Sequence, residues 1–191
     1  MSFTRIKYLL VFPLFFITAN NAVFAQDHPA VVKDTAVTDK NSYASDLEFF
    51  TDYDKINSLK QLQEKLKGSP VFIDLWASWC GPCRREFYYK DSLDSFLKEA
   101  DVKMLYLSMD DAAHDAQWKE LLKFLKMGGT HMRANAALQY DLSRLIWKQN
   151  GGFSIPRYIL LNKDGVVLSN KMLRPSDGAL LYQQIRSLLA R

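Results

Sequence analysis

The stretch that decides the fold is FIDLWASWCGPC, residues 72–83. It starts as an apolar run interrupted by Asp74 and ends in a Cys-Gly-Pro-Cys motif. A continuous apolar run of this kind is typical of a strand buried on both faces, which favours a central parallel strand. A helical pattern begins where this run ends, and the two cysteines of the motif, Cys80 and Cys83, are the only ones in the 191-residue sequence.

The position of the cysteine pair indicates a chemical role. The thiolate is the reacting form of cysteine, and unpaired N–H groups and the positive dipole end at a helix start stabilise it. Pro82 suits the first helical turn because the N–H that it lacks would have no partner there. Arg84 and Arg85 add positive charge. We therefore interpret Cys80 as the attacking thiol and Cys83 as the resolving thiol.

Three other roles for the pair stay open. A structural disulfide closing so short a loop would stabilise the fold by about 2 kcal/mol, against more than about 4 kcal/mol for a long loop. Half of a zinc site would need two further ligands, but the sequence has no second cysteine pair and no two histidines at ligand spacing. Inert packing is disfavoured by the flanking Trp, Gly and Pro. The pattern favours redox chemistry without a metal.

The same stretch resembles the active-site segment of the thioredoxin superfamily, because it combines a strand, an acid, a tryptophan pair and Cys-Gly-Pro-Cys. The chain is most similar to the extracytoplasmic thioredoxin-like reductases, some of which serve cytochrome c maturation. The resemblance covers roughly residues 58–191. It implies an α/β fold, a thioredoxin-like three-layer α/β/α sandwich. Helical patterns over residues 114–127 and 136–147 predict an extra helical insert between the central strand pair.

Asp74 has two possible roles. It could accept a hydrogen bond at the strand end, or it could accept the proton of Cys83. Burial would raise the pKa of Asp74 towards neutrality and suit it to general base catalysis. The thioredoxin family carries an acid at this position, so the resemblance favours the proton acceptor. The family also carries a lysine in the next strand, where this sequence has Tyr106.

A second family landmark precedes the predicted strand 157–161. Here the resemblance implies a cis Ile155–Pro156 peptide bond facing the cysteines, which would leave the backbone of Ile155 free to pair with an extended substrate. Ser154 stands where the family often has Gly. The predicted substrate-binding residues are Trp79, Gly81, Pro82, Ile155 and Pro156.

Four other polar residues receive structural interpretations. Asp110 and Asp111 end the predicted strand 102–109, and we expect a solvated turn or a helix cap there rather than a metal site. His131 lies in a connection and is expected at the surface. Ser176 is the predicted cap of the last helix.

The first 25 residues have the pattern of a secretory signal. Arg5 and Lys7 precede an apolar run over residues 8–19, and Val23-Phe24-Ala25 offers small residues to a signal peptidase. An uncleaved membrane anchor is the alternative. Either way the domain is expected outside the cytoplasm, in a periplasm. The predicted organisation is signal peptide 1–25, flexible linker 26–45 and thioredoxin-like domain 46–191.

The charge of the chain argues against nucleic acid as a partner. The formal net charge is +4, and Arg5 and Lys7 supply two of these charges. The remaining excess is too small for a nucleic-acid-binding surface.

Together these features predict a thiol–disulfide oxidoreductase that reduces disulfides in partner proteins. No cofactor is required, and the electrons would come from another protein in the membrane or the periplasm. Three alternatives are an oxidase or isomerase for secreted proteins, a non-catalytic partner-binding module on the same fold, and a peroxidase.

Overall fold

A mixed sheet of six strands runs through residues 42–191, the part of the chain that the structure, a computed structural model, describes. The predicted signal segment and most of the predicted linker lie outside these residues. The strands, in chain order, are β1 (Leu47–Phe49), β2 (Val71–Trp76), β3 (Lys103–Ser108), β4 (Gly129–Arg133), β5 (Arg157–Leu161) and β6 (Val167–Ser169). Across the sheet their order is β1-β4-β3-β2-β5-β6.

The strand predicted from residues 72–83 is β2, which lies in the middle of this sheet. β2 is parallel to β3 on one side and antiparallel to β5 on the other. All six of its residues are buried, as its continuous apolar run predicts. The β1, β4 and β3 strands continue the parallel part of the sheet, and β6 closes the antiparallel edge.

Helices connect these strands. They are α1 (Leu59–Lys65), α2 (Gly81–Glu86), α3 (Lys90–Glu99), α4 (Asp115–Phe124), α5 (Ala136–Leu142) and α6 (Ala179–Leu189). Short 3-10 turns occur at Tyr53–Lys55, Phe87–Tyr89, Ala112–His114 and Pro175–Asp177, and a π-helical turn at Ser143–Trp147. Ser58 begins α1 as an N-cap, because its side chain accepts a hydrogen bond from the backbone N–H of Gln61.

The helices cover both faces of the sheet and make the predicted three-layer α/β/α sandwich. The leucines of α1 and α5 pack in one apolar cluster with Ile73 and Leu75 of β2. Phe72, which points to the opposite face, packs in a second cluster with residues of α3 and α6. The thioredoxin-like α/β fold is therefore confirmed.

The insert contains more than the two predicted helices. Both helices are present as α4 and α5, but β4 lies between them and joins the sheet between β3 and β1. The insert connects β3 to β5, which are not neighbours because β2 lies between them. The strand between the two predicted helices was not expected from the sequence.

His131 lies in the missed strand and is buried, so its predicted place at the surface is wrong. Its ring stacks on Tyr106 of β3, with the ring centroids 4.7 Å apart. Its Nε2 lies 3.0 Å from the carbonyl oxygen of Gly128, an acceptor, so Nε2 carries the proton. Burial lowers the pKa of His131 to about 4.

Two helix boundaries also differ from the expectation. The helix after the cysteines is broken at the 3-10 turn Phe87–Tyr89, and α3 continues from there. Ser176 lies inside the last 3-10 turn, and Gly178 precedes α6, so Ser176 is not its cap. Within residues 42–191, no helix is both long enough and apolar enough to span a bilayer.

Candidate active site

The cysteine pair lies where β2 ends and α2 begins, and the two residues form a disulfide. Cys80 is the N-cap of α2, and its Sγ accepts a hydrogen bond from the backbone N–H of Cys83 at 3.2 Å. Pro82 occupies the first turn, as its missing N–H allows. A thiolate at Cys80 would therefore be stabilised by a helix start and by a direct N–H donor.

The loop before β5 lies next to Cys80. The Ile155–Pro156 peptide bond is cis, as the family resemblance implies. Because β5 runs antiparallel to β2, with Arg157 opposite Leu75, the start of β5 lies at the same sheet edge as the end of β2. The carbonyl oxygen of Ile155 lies 3.9 Å from Cys80 Sγ. The fold thus brings together residues that are separated by 75 positions in the sequence.

Aromatic side chains border the same edge. Trp79 is 57% exposed and packs against Phe153, with ring centroids 6.3 Å apart. Trp147 also packs against Phe153, with ring centroids 6.0 Å apart, and its Nε1 donates a hydrogen bond to the carbonyl oxygen of Ser154. Phe153 and Trp147 were not predicted as site residues. Their only sequence signal is their place beside the Ile155–Pro156 landmark.

Asp74 is buried in β2, between Tyr106 and Tyr158 on the adjacent strands. Its Oδ1 has no hydrogen-bond partner among residues 42–191. Burial raises the pKa of this carboxyl well above its usual range, and the nearby Glu86 carboxylate adds to the rise. The acid is therefore held in its neutral form to a higher pH than an exposed aspartate would be. Tyr106, at the position of the family's lysine, brings no positive charge to it.

Glu86 was not predicted to act at the site. It is buried at the end of α2, one turn after Cys83. Its carboxylate accepts hydrogen bonds from the backbone N–H and the hydroxyl of Ser176, and Arg174 Nη1 lies 3.8 Å away. A residue three positions after Cys83 lies on the same helix face, and this spacing could have identified it.

Asp110 is also a residue whose position differs from the expectation. Asp111 caps the 3-10 turn Ala112–His114 as predicted, but Asp110 is fully buried rather than solvated. The carboxylate of Asp110 accepts hydrogen bonds from the backbone N–H and the hydroxyl of Ser78 and from the hydroxyl of Ser108. Because Ser78 lies two residues before Cys80, Asp110 fixes the loop that leads to the reactive cysteine.

The remaining predicted residues complete the rim of the site. Gly81 is half-buried and Pro82 is exposed, next to the disulfide. Among the described residues, no group of three or more His, Cys, Asp and Glu side chains is placed to hold a metal ion. The arrangement fits a Cys-Xaa-Xaa-Cys redox site, in which Cys80 Sγ lies near the Ile155 carbonyl oxygen and Cys83 is buried in the first turn of α2.

The Redoxin family profile matches residues 25–178 of this sequence. ResA from Bacillus anthracis, a thiol-disulfide oxidoreductase, is 30% identical over 103 residues, which are 54% of this chain and 54% of ResA. The chain thus spans about half the length of that relative. The thiol:disulfide interchange protein DsbD from Escherichia coli is 35% identical over 80 residues, which are 42% of this chain and 14% of DsbD.

Among solved structures, the thioredoxin domain of a thiol-disulfide oxidoreductase from Bacteroides vulgatus is 24% identical. The match covers 65% of this chain and 82% of that domain, with a TM-score of 0.48.

Proposed function

Because this chain belongs to the Redoxin family, we propose that it is a thiol–disulfide oxidoreductase that reduces disulfides in partner proteins. One observation carries the proposal. Cys80 and Cys83 are bonded to each other at the start of a helix, and Cys80 Sγ lies 3.9 Å from the carbonyl oxygen of Ile155. A sulfur in this place can react with a disulfide held along the backbone of Ile155.

The first step uses the thiolate of Cys80 in the reduced protein. The thiolate attacks one sulfur of the partner disulfide, a mixed disulfide forms, and the other partner sulfur leaves as a thiolate. The N–H of Cys83 and the start of α2 favour the thiolate form of Cys80. Trp79, Ile155 and Pro156 border the edge where the partner would lie.

The second step uses Cys83. Its thiol loses a proton, and the thiolate attacks Cys80 Sγ, which reforms the Cys80–Cys83 disulfide and releases the partner as a dithiol. Asp74, buried in β2 with a raised pKa, would accept that proton when its carboxyl is ionised. Two electrons pass from the protein to the partner in each cycle, so the disulfide must then be reduced again.

We further propose that electrons flow from this protein to the partner disulfide and that the protein acts outside the cytoplasm. Gly-Pro between the cysteines resembles thioredoxin, whose potential is about −270 mV, rather than the strong oxidant at about −120 mV. We also propose that the electrons come from another protein in the membrane or the periplasm. The predicted secretory signal over residues 1–25 supports an extracytoplasmic site of action.

An insulin-reduction assay with dithiothreitol tests the activity. We expect wild-type protein to accelerate reduction and Cys80→Ser to abolish the acceleration, while Cys83→Ser accumulates a mixed disulfide. Equal rates for wild type and Cys80→Ser would contradict the proposal and favour a binding module. A measured potential near −120 mV would overturn the direction of electron flow and favour an oxidase.

A further inference from the structure

A groove of about 530 Å³ opens beside the cysteine loop, between α2 and the end of α4. Gly81 of the Cys-Gly-Pro-Cys motif forms part of its wall, together with Arg84, Arg85 and Tyr88. Phe124 and Met127, from the insert, form the other side. The groove is separate from the edge formed by Ile155 and Pro156, neither of which lines it.

The groove carries positive charge that nothing in the described chain neutralises. Arg84 and Arg85 are exposed, and neither forms an ion pair with another residue in 42–191. A Cβ added to Gly81 would lie 3.9 Å from Arg85 Nη1, so this guanidinium lies against the cysteine loop. Lys90 also lines the groove, but it pairs with Asp91 and Asp94. None of the described residues that line the groove is acidic.

Two aromatic side chains at this groove are unusually exposed. Tyr88 is 87% exposed and Phe124 is 79% exposed. A single exposed aromatic residue needs no explanation, but two that border one basic groove mark an interaction surface. Aromatic residues and arginine are also the residues that contribute most to binding at protein interfaces.

We propose that this groove binds an acidic segment of the disulfide-bearing partner protein, a segment that also carries an aromatic or aliphatic side chain. The acidic groups would meet Arg84 and Arg85, and the apolar side chain would pack between Tyr88 and Phe124. Since Gly81 forms part of the wall, a segment bound here holds its neighbouring disulfide next to Cys80. This inference rests on the proposed function and names the partner class that the same site would select.

The test compares single-turnover rates of the pre-reduced protein with three cyclic disulfide peptides of equal length. One peptide carries an Asp-Glu-Phe flank, one a Lys-Lys-Phe flank, and one an Asp-Glu-Ser flank. In each reaction the peptide disulfide becomes two thiols and Cys80 and Cys83 become a disulfide. Each rate is divided by the rate with 2-hydroxyethyl disulfide, which has no flank and therefore corrects for changes in thiol reactivity.

We expect the wild-type protein to prefer the Asp-Glu-Phe peptide over the other two by about tenfold or more, and the preference to fall as salt screens the charges. Phe124→Ser should remove the preference for Phe over Ser, and Arg85→Glu should reverse the preference between acidic and basic flanks. Leu180→Ser, at an exposed leucine of α6, and Lys60→Glu, at an exposed lysine of α1, are matched controls outside the groove and should change neither ratio.

Equal normalised rates for all three peptides, or ratios that Phe124→Ser and Arg85→Glu leave unchanged, would overturn the docking inference while leaving the proposed function intact. Sedimentation in which Phe124→Ser dissolves a dimer without changing the peptide ratios would also overturn it, because the groove would then bind a second copy. A pre-reduced protein that reacts with no disulfide, 2-hydroxyethyl disulfide included, would overturn the proposed function and this inference with it.

Discussion

At the scale of single residues, Asp74 is buried, and among residues 42–191 no positive charge offsets the rise in its pKa. It lies in register with two tyrosines, Tyr106 and Tyr158, and burial raises the pKa of both hydroxyls as well. Neither tyrosine carries a positive charge that would stabilise the ionised carboxylate. The raised pKa of Asp74 therefore follows from desolvation first and from Glu86 second.

Asp74→Asn should slow the release of the partner from the mixed disulfide. The variant keeps the shape of the side chain but cannot accept the Cys83 proton, and general base catalysis typically contributes at least about 10²-fold to a rate. Stopped-flow measurement of the two steps at neutral pH would separate attack from resolution. An unchanged resolution rate would show that the Cys83 proton leaves by another route.

His131 should make the protein lose stability in mild acid. Its pKa is about 4 in the folded protein and near the ordinary histidine value of 6.5 in the unfolded chain, so between these values the unfolded state binds more protons. The stabilisation that neutral His131 contributes is therefore fully present above the unfolded-state pKa, and it is lost as the pH falls towards the folded-state pKa. Between about pH 7 and about pH 4.5 the loss should be about 2 kcal/mol.

Urea unfolding of wild type and His131→Gln at both pH values tests this. The glutamine variant cannot titrate, so its stability should fall by about 2 kcal/mol less than that of wild type. Parallel pH dependences for the two proteins would contradict the assignment of this loss to His131.

At the scale of secondary-structure elements, Trp118 is one of the contacts that hold the insert to the rest of the fold. This residue of α4 is fully buried, and its ring packs edge-on against Phe49 of β1 and against Tyr53, with centroids 5.6 and 6.1 Å apart. The contact joins the insert to β1, the strand that, within residues 42–191, lies at the edge of the sheet next to β4.

Trp118→Ala should destabilise the fold by about 3–5 kcal/mol, because it leaves a large cavity between α4 and β1. The free energy of unfolding in urea measures the effect. Phe124→Ala on the same helix is the matched control. Its side chain is mostly exposed, so its change should stay within about 0.5 kcal/mol. Similar losses for both variants would contradict the role given to Trp118.

Elements that depend on local sequence were predicted, whereas one that depends on its neighbours in the sheet was not. The β2 strand, the helix start at Cys80 and the Ser58 cap were predictable because each depends on local sequence. β4 was missed because it begins at the second of two adjacent glycines, Gly129, and its burial depends on neighbours on both sides in the sheet. His131 was misplaced for the same reason.

The misplacement of Asp110 has a different physical cause. Two adjacent acids at a strand end usually face solvent. The cost of burying Asp110 is offset by hydrogen bonds from the hydroxyl of Ser108 and from the hydroxyl and the N–H of Ser78, which is 32 residues away. Such a partner cannot be read from spacing along the chain. The roles assigned to Asp74, Cys80 and Cys83 remain predictions that the experiments above test.

At the scale of the whole molecule, one edge of the sheet gathers the parts that the proposed reaction needs. The end of β2 supplies the cysteine loop, the start of antiparallel β5 supplies the Ile155 backbone, and the insert supplies one wall of the basic groove. Ligands of open α/β sheets commonly bind at the carboxyl ends of parallel strands, and this edge is such a place.

The central claim is that this architecture makes the Cys80 thiol acidic and accessible. Alkylation of the reduced Cys83→Ser variant by iodoacetamide across a range of pH measures the pKa of Cys80 directly, with reduced Cys80→Ser as the comparison for Cys83. The account predicts a Cys80 pKa at least about one unit below the ordinary value near 8.5, and slower alkylation of Cys83. A Cys80 pKa at or above about 8.5 would contradict it.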